Sequence, residues 1–87
     1  MRFWARTFSD NRMIKDTVIE NHENDTRTHK VFSAIEKIAY DFDIPRPIWL
    51  ESNISDFKNY SKVRFYQDSF IEEVSFDYLE FSVLEED

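Results

Sequence analysis

The chain contains no glycine among its 87 residues, although average usage would supply about 6. This absence excludes the Gly-rich loops with which nucleotide-binding proteins hold phosphate groups. It also restricts tight turns to side chains such as Asp and Asn, which tolerate positive φ better than other non-glycine residues. The chain has no cysteine either, which excludes disulfides, thiolate metal sites and a cysteine nucleophile.

Length and hydropathy indicate one folded domain spanning residues 1–87. A chain of this size buries only about 60–65 % of the surface that its unfolded form exposes, which leaves room for one core. Hydrophobic residues make up 41 % of the sequence and aromatic residues 17 %, proportions that exclude a disordered acidic tail. No apolar run approaches the roughly 18 residues that a membrane span requires, so we expect no membrane partner.

The net charge of −7 arises in the last part of the chain. Residues 1–67 hold 11 basic and 10 acidic side chains, whereas residues 68–87 hold eight acidic ones and no basic one. Such a segment is typical of a solvated strand edge followed by a polar tail. Alternatively, it forms an acidic surface for a basic protein partner. Nucleic acid is not an expected partner, because phosphates require a concentrated basic surface.

Two segments rich in Phe, Trp, Thr, Val and Ile, residues 2–8 and 13–20, predict an N-terminal β-hairpin. Asp10 and Asn11 suit the positive φ angles of its two-residue turn. The resulting register pairs Phe8 with Met13, Arg6 with Lys15, Trp4 with Thr17 and Arg2 with Ile19. The opposite face then carries Phe3, Ala5, Thr7, Ile14, Asp16 and Val18, among which the charged Asp16 is a misfit.

Helical periodicity is clearest over residues 27–41, with Asp25 or Thr26 as the N-cap. Apolar residues recur there at spacings of four and three, namely Val31, Ile35, Ile38 and Phe42. A second, shorter helix is predicted over 53–62, capped by Ser52 or Asn53. Residues 63–66 fit either a strand or a continuation of this helix, and 76–84 alternate as a final strand.

This order predicts a two-layer α+β domain, ββααβ, with both helices on one face of an antiparallel sheet. The sheet has three strands, or four if residues 63–66 are extended. In the predicted register the face away from the helices carries a set of large side chains, Trp4, Phe8, Met13, Ile19 and Tyr78. Glu80 on this face would neutralise the like charges of Arg6 and Lys15, which the register places opposite each other.

An exposed apolar patch of this kind usually marks an interface, so we expect a homodimer that packs through it. The alternative is that residues 48–50 and 63–72 fold over the patch within one chain. A one-residue shift of the hairpin register would exchange the two faces and change the prediction.

The polar segment 20–29 is the best catalytic candidate in the sequence. Its candidate acid/base residues are His22, Asp25 and His29, and its candidate metal ligands are His22, Glu23 and His29, because imidazoles and carboxylates bind zinc and carry protons near neutral pH. No His-Glu-x-x-His spacing is present. The segment equally fits a solvent-facing loop that caps the helix, and a catalytic or metal site is the minority interpretation.

Trp49 follows two prolines, Pro45 and Pro47. Aromatic side chains beside prolines occur in grooves that bind peptides. They also commonly anchor a crossing loop onto the core, and the sequence leaves both interpretations open.

Several stretches resemble a family of small acidic proteins from clostridial and related Firmicutes that has no assigned function. The similar stretches are 1–6, 25–32, 47–50, 76–80 and 83–87, and the likeness extends over nearly the whole chain. This resemblance implies a free-standing cytoplasmic bacterial protein, and it carries over no catalytic residue. We therefore expect a non-enzymatic, homodimeric protein-interaction module without a cofactor. The alternative is a small metal-assisted enzyme that uses the 20–29 loop.

Overall fold

A computed structural model describes residues 1–87 as an α+β fold, as predicted. Its elements are β1 (Arg2–Ser9), β2 (Arg12–Glu20), α1 (Arg27–Phe42), α2 (Glu51–Tyr60), β3 (Lys62–Phe65) and β4 (Tyr78–Glu85). The four strands form one antiparallel sheet in the order β2-β1-β4-β3. The chain therefore runs ββααββ, with one strand more than the predicted ββααβ order.

The additional strand, β3, forms because the chain alternates immediately after α2. Val63 and Phe65 are buried, whereas Lys62 and Arg64 are exposed, the period of two that a half-buried strand requires. Ser61 adopts a left-handed conformation with φ of 53° and ends the helix. The ambiguous segment 63–66 is thus extended through Phe65, and it pairs with β4.

The hairpin turn forms at the predicted place, but a β-bulge changes the register beyond it. Asp10 and Asn11 have φ of 52° and 64°, and Phe8 lies opposite Met13 as expected. The next pair is Thr7 with Lys15, so Ile14 is the extra residue on β2. All later residues of β2 consequently point to the opposite face from the one that we predicted.

The corrected register resolves the misfits of the predicted one. Ile19 lies opposite Phe3 and is buried in the core, so its predicted place on the outer face is wrong. Val18 and Asp16 lie opposite Trp4 and Arg6 on the outer face instead. The Asp16 carboxylate is thereby removed from the helix side of the sheet, where it had no partner.

At the start of both helices a side chain accepts a hydrogen bond from a free backbone N–H group. The Thr26 hydroxyl accepts a hydrogen bond from the His29 N–H at 3.2 Å, as the predicted N-cap of α1. α2 begins earlier than predicted, with Leu50 rather than Ser52 or Asn53 at the N-cap position. Asn53 serves the helix from its third position, where its Oδ1 accepts from the Leu50 N–H at 2.9 Å.

The hydrophobic core lies between the helices and one face of the sheet. Its fifteen buried side chains come from Met1, both helices, all four strands and the loop before β4. Phe3, Phe65 and Phe81 are fully buried on this face. No helix is long and apolar enough to cross a membrane.

Candidate functional site

The sheet face away from the helices is uncovered, and we call it the open face. It carries Trp4, Arg6 and Phe8 of β1, Met13, Asp16 and Val18 of β2, Lys62 and Arg64 of β3, and Tyr78, Glu80 and Ser82 of β4. Trp49 and Phe70, from the two segments that were expected to cover this face in the alternative, pack with the core on the helix side. From the second segment, Tyr66 packs against Tyr78 of the open face, with 5.4 Å between the ring centroids. The alternative is therefore not realised over most of this face.

Glu80 occupies the centre of the open face, and its side chain is only 3 % exposed. One carboxylate oxygen accepts a short hydrogen bond from Nη2 of Arg6. The other lies 3.3 Å from Nε of Arg64 and 3.8 Å from Nζ of Lys62. Glu80 neutralises Arg6 as predicted, but Lys15 lies opposite Thr7 and takes no part.

Aromatic rings surround this charged cluster and hold its cations in place. The Arg6 guanidinium lies 3.8 Å from the ring centroid of Trp4 and 5.3 Å from that of Phe8. Phe8 stacks on Tyr78 at 5.0 Å, and Arg64 lies 4.7 Å from the Tyr78 centroid. These cation–π contacts add to the ion pairs in stabilising the positions of Arg6 and Arg64 on the open face.

Four of the five predicted interface residues lie on the open face. They are Trp4, Phe8, Met13 and Tyr78, and Ile19 is the exception. The sequence prediction missed Lys62, which it placed at the end of the second helix, and Arg64, which lies in the segment 63–66 that fitted either a strand or a helix. It also missed the hydrogen bond that the Trp4 indole donates to Asp16 at 3.0 Å.

Half of the acidic side chains of the segment 68–87 form ion pairs within the chain. Glu85 pairs with Arg2 at 2.8 Å, and Glu86 with Arg27 at 2.9 Å. Asp87 bridges the buried Lys30 ammonium and the N-terminal amine, and these hydrogen bonds lower the pKa of Asp87 to about 2. Four of the eight acids, Asp68, Glu72, Glu73 and Asp77, form no ion pair within the chain, although Asp77 accepts a hydrogen bond from the Asp10 backbone N–H at 2.9 Å.

The 20–29 loop does not assemble a metal site. His29 Nδ1 lies 2.9 Å from Asp25 Oδ1, and His22 lies 3.8 Å from Glu20 instead. Glu23 is exposed, and no three His, Asp or Glu side chains lie together as a metal site would require. The His29 hydrogen bond lowers the pKa of Asp25, with a further bond from the Thr26 N–H. Asp25 and His29 thus order the first turn of α1.

No protein-family model matches the chain, and no match was found among curated proteins or solved structures. The resemblance to clostridial proteins therefore stays a prediction.

Proposed function

We propose that the chain is a non-enzymatic, cytoplasmic protein-interaction module that forms a homodimer through the open face. The observation that carries the proposal is the composition of this uncovered surface. Trp, Tyr and Arg supply four of its eleven side chains, and these residue types provide most binding energy in protein interfaces. Large apolar patches that stay exposed in a monomer usually mark such an interface.

The side chains of the open face are held by contacts within the sheet, and this favours tight packing against a partner. Glu80 fixes Arg6, and the Arg6 guanidinium rests on the Trp4 ring, whose indole N–H is already bonded to Asp16. Side chains that are immobile before binding lose less conformational entropy when the complex forms. The centre of the surface therefore requires little rearrangement.

The charges of the open face are complementary to those of a second copy. Asp16 lies on β2 at one edge of the sheet, and Lys62 and Arg64 lie on β3 at the other edge. A two-fold axis between two facing sheets, directed along the strands, places β2 of one copy over β3 of its partner. Each acidic edge then meets a basic edge, while the aromatic residues of β1 and β4 meet at the centre.

A single-stranded nucleic acid is a poorer occupant of the same surface. Base stacking requires free aromatic faces, but Arg6 already covers the Trp4 ring. The cations also face acidic side chains of the same sheet, Glu80 and Asp16. This compensation leaves no concentrated positive surface for phosphates.

Light scattering behind a sizing column tests the homodimer. Four strands spaced about 4.8 Å apart give a surface about 19 Å wide, so the interface is small and we expect a micromolar complex. At tens of micromolar, a mass of about twice 10.6 kDa supports the proposal. A mass near 10.6 kDa contradicts it.

A pair of substitutions locates the interface. Trp4→Glu places a charge at the centre of the open face and should return the protein to monomer, because the dry interface would bury an unpaired carboxylate. Tyr40→Glu is the matched control, since Tyr40 is 86 % exposed on the outer side of α1. Both variants are checked for native circular dichroism. A dimer that withstands a folded Trp4→Glu would place the interface elsewhere.

A further inference from the structure

A groove separates the two helices on the opposite side of the molecule from the open face. α1 and α2 make few close backbone contacts with one another, and a cavity of about 250 Å³ opens between them. Trp49 and Phe57 lie among its lining residues, together with Phe32 of α1 and Ile54 of α2. Phe32 and Ile54 are about half exposed although both are large and apolar.

The groove carries one uncompensated positive charge, that of Lys58, in a chain that is acidic overall. Arg27 and Lys58 line it, and none of its eight lining residues is acidic, although 18 of the 87 residues are. Lys58 makes no ion pair within the chain, whereas eight of the 11 basic residues do. A free ammonium beside an apolar surface is complementary to an anion with an apolar body.

Arg27 is held at the mouth of the groove with one amino group unused. Its guanidinium carbon lies 5.2 Å from the ring centroid of Phe57. Nε and Nη2 donate to the two carboxylate oxygens of Glu86 at 2.9 and 3.1 Å. Nη1 forms no hydrogen bond in the chain and remains as a donor next to the groove. The indole N–H of Trp49 is shielded from solvent and also lacks an acceptor.

We propose that this groove binds a small organic carboxylate with an aromatic or branched apolar body. The apolar body lies against Phe32, Trp49 and Ile54, and the carboxylate accepts from Lys58 and from Nη1 of Arg27. The groove walls run from residue 27 to 32 on α1 and from 54 to 58 on α2, about 6–8 Å at 1.5 Å per residue. This length fits one substituted ring. It is shorter than the roughly 10.5 Å between the i and i+7 anchors of a bound helix.

Tryptophan fluorescence can follow binding directly, because the chain has only two tryptophans. Trp4→Phe leaves Trp49 as the single reporter, at the groove itself. Phenylpropionate is the probe, and phenylpropionamide is its uncharged counterpart of the same shape. Charge-assisted hydrogen bonds are roughly twice as strong as neutral ones, so we expect the acid to bind at least about tenfold more tightly than the amide.

Two further variants assign the charge and the apolar wall. Lys58→Gln should reduce the affinity for the acid at least about fivefold and leave the amide unchanged. Lys15→Gln is its matched control, since Lys15 is exposed, lacks an ion pair and lies on β2. Ile54→Glu should abolish binding of both probes while the circular dichroism spectrum stays native.

The proposal is overturned if the acid and the amide bind with equal affinity, or if Lys58→Gln leaves acid binding intact. It is also overturned if neither probe changes the Trp49 fluorescence at about 10 mM, which is on the order of the weakest affinity that a ligand of this size shows. A Trp49 signal that changes on dilution without any probe would identify a second copy of the chain as the occupant, and it would also overturn the proposal.

Discussion

Replacing Glu80 by Gln tests whether the buried carboxylate stabilises the open face. Gln has nearly the same shape, but it carries no charge and substitutes an N–H₂ group for one carboxylate oxygen. One oxygen can still accept from Arg6, whereas the N–H₂ group faces Arg64 and Lys62, which are donors only. The substitution therefore leaves three cations without a negative counter-charge.

The expected loss of stability follows from the exposure of each partner. The bond to Arg6, whose side chain is 22 % exposed, is charge-assisted and contributes about 1.5–3 kcal/mol, of which Gln retains roughly half. Lys62 and Arg64 are about half exposed, so together they add only about 0.5–1 kcal/mol. We expect Glu80→Gln to cost about 2 kcal/mol, which corresponds to about 8–16 °C in Tm for a domain of this size.

Urea unfolding followed by circular dichroism measures this loss, and two acids of the same C-terminal segment provide controls. Glu72→Gln removes an exposed acid that has no ion pair and should stay within about 0.5 kcal/mol of the parent. Glu85→Gln removes the exposed pair with Arg2 and should cost no more than about 1 kcal/mol. All variants are compared at one protein concentration, because dimerisation makes stability depend on concentration.

Salt distinguishes the buried pair from the exposed one. Ions screen exposed charges effectively at 1 M salt and buried charges much less. The effect of Glu85→Gln should therefore vanish at high salt, whereas most of the Glu80→Gln effect should persist. A Glu80→Gln variant within 0.5 kcal/mol of the parent, about the size of a neutral surface change, would refute the reasoning. Equal salt sensitivity of the two variants would refute it as well.

Three further outcomes are expected. Asn53→Ala should cost about 2–3 kcal/mol in urea unfolding, since it leaves the buried Ser69 hydroxyl and two backbone groups without partners; Asn59→Ala, on the exposed side of the same helix, should be neutral. The pKa of Asp87 is about 2 in the fold against an ordinary value of 3.8. The contribution of the ionised Asp87 carboxylate to the stability of the fold is therefore complete above about pH 4 and is lost as the pH falls through about 2. Asp87→Asn should remove this part of the acid sensitivity in thermal melts between pH 2 and 5. Lys62→Glu should raise the dimer dissociation constant measured by sedimentation, because the acidic edge of the partner would then meet a like charge.

Local chemistry made most of the fold predictable. The hairpin turn depends on Asp10 and Asn11, and α1 depends on the spacing of its apolar residues and on the Thr26 cap, all of which are local properties of the sequence. Without glycine, the positive-φ positions fall on Asp10, Asn11, Asp43 and Ser61. Three of these four are Asp or Asn, the residue types that tolerate this conformation.

The bulge at Ile14 was not predictable from any turn or cap signal, because no glycine or positive φ accompanies it. The sequence indicated the bulge only through two unfavourable placements of charged residues in the predicted register. The unbulged register set Arg6 against Lys15 and turned Asp16 toward the helices. One extra residue removes both conflicts, since it places Asp16 opposite Arg6 and Lys15 opposite Thr7. Two charge conflicts in one strand therefore indicate a register shift better than either does alone.

The candidate site was predictable only in part for the same reason. Trp4, Phe8 and Tyr78 precede or lie outside the bulged strand, so their outward orientation did not depend on the register of β2. The cations of β3 were hidden because a four-residue strand of two apolar and two basic residues is too short to distinguish from the end of a helix. Pairing with β4 supplies the stabilisation that makes this segment extended.

The uneven charge of the sequence also has a structural cause. β4 carries two of the acids of this segment, Glu80 and Glu85, and lies in the interior of the sheet between β1 and β3, both of which present basic side chains. The acidic side chains of β4 therefore form ion pairs with basic side chains of both neighbouring strands, although acidic and basic residues are separated along the sequence. Eight of the 11 basic residues are paired in the chain. Of the three left over, Arg12 and Lys15 lie at or near the hairpin tip, and Lys58 alone lines the groove between the helices, where it is the cation that the proposed carboxylate ligand would meet.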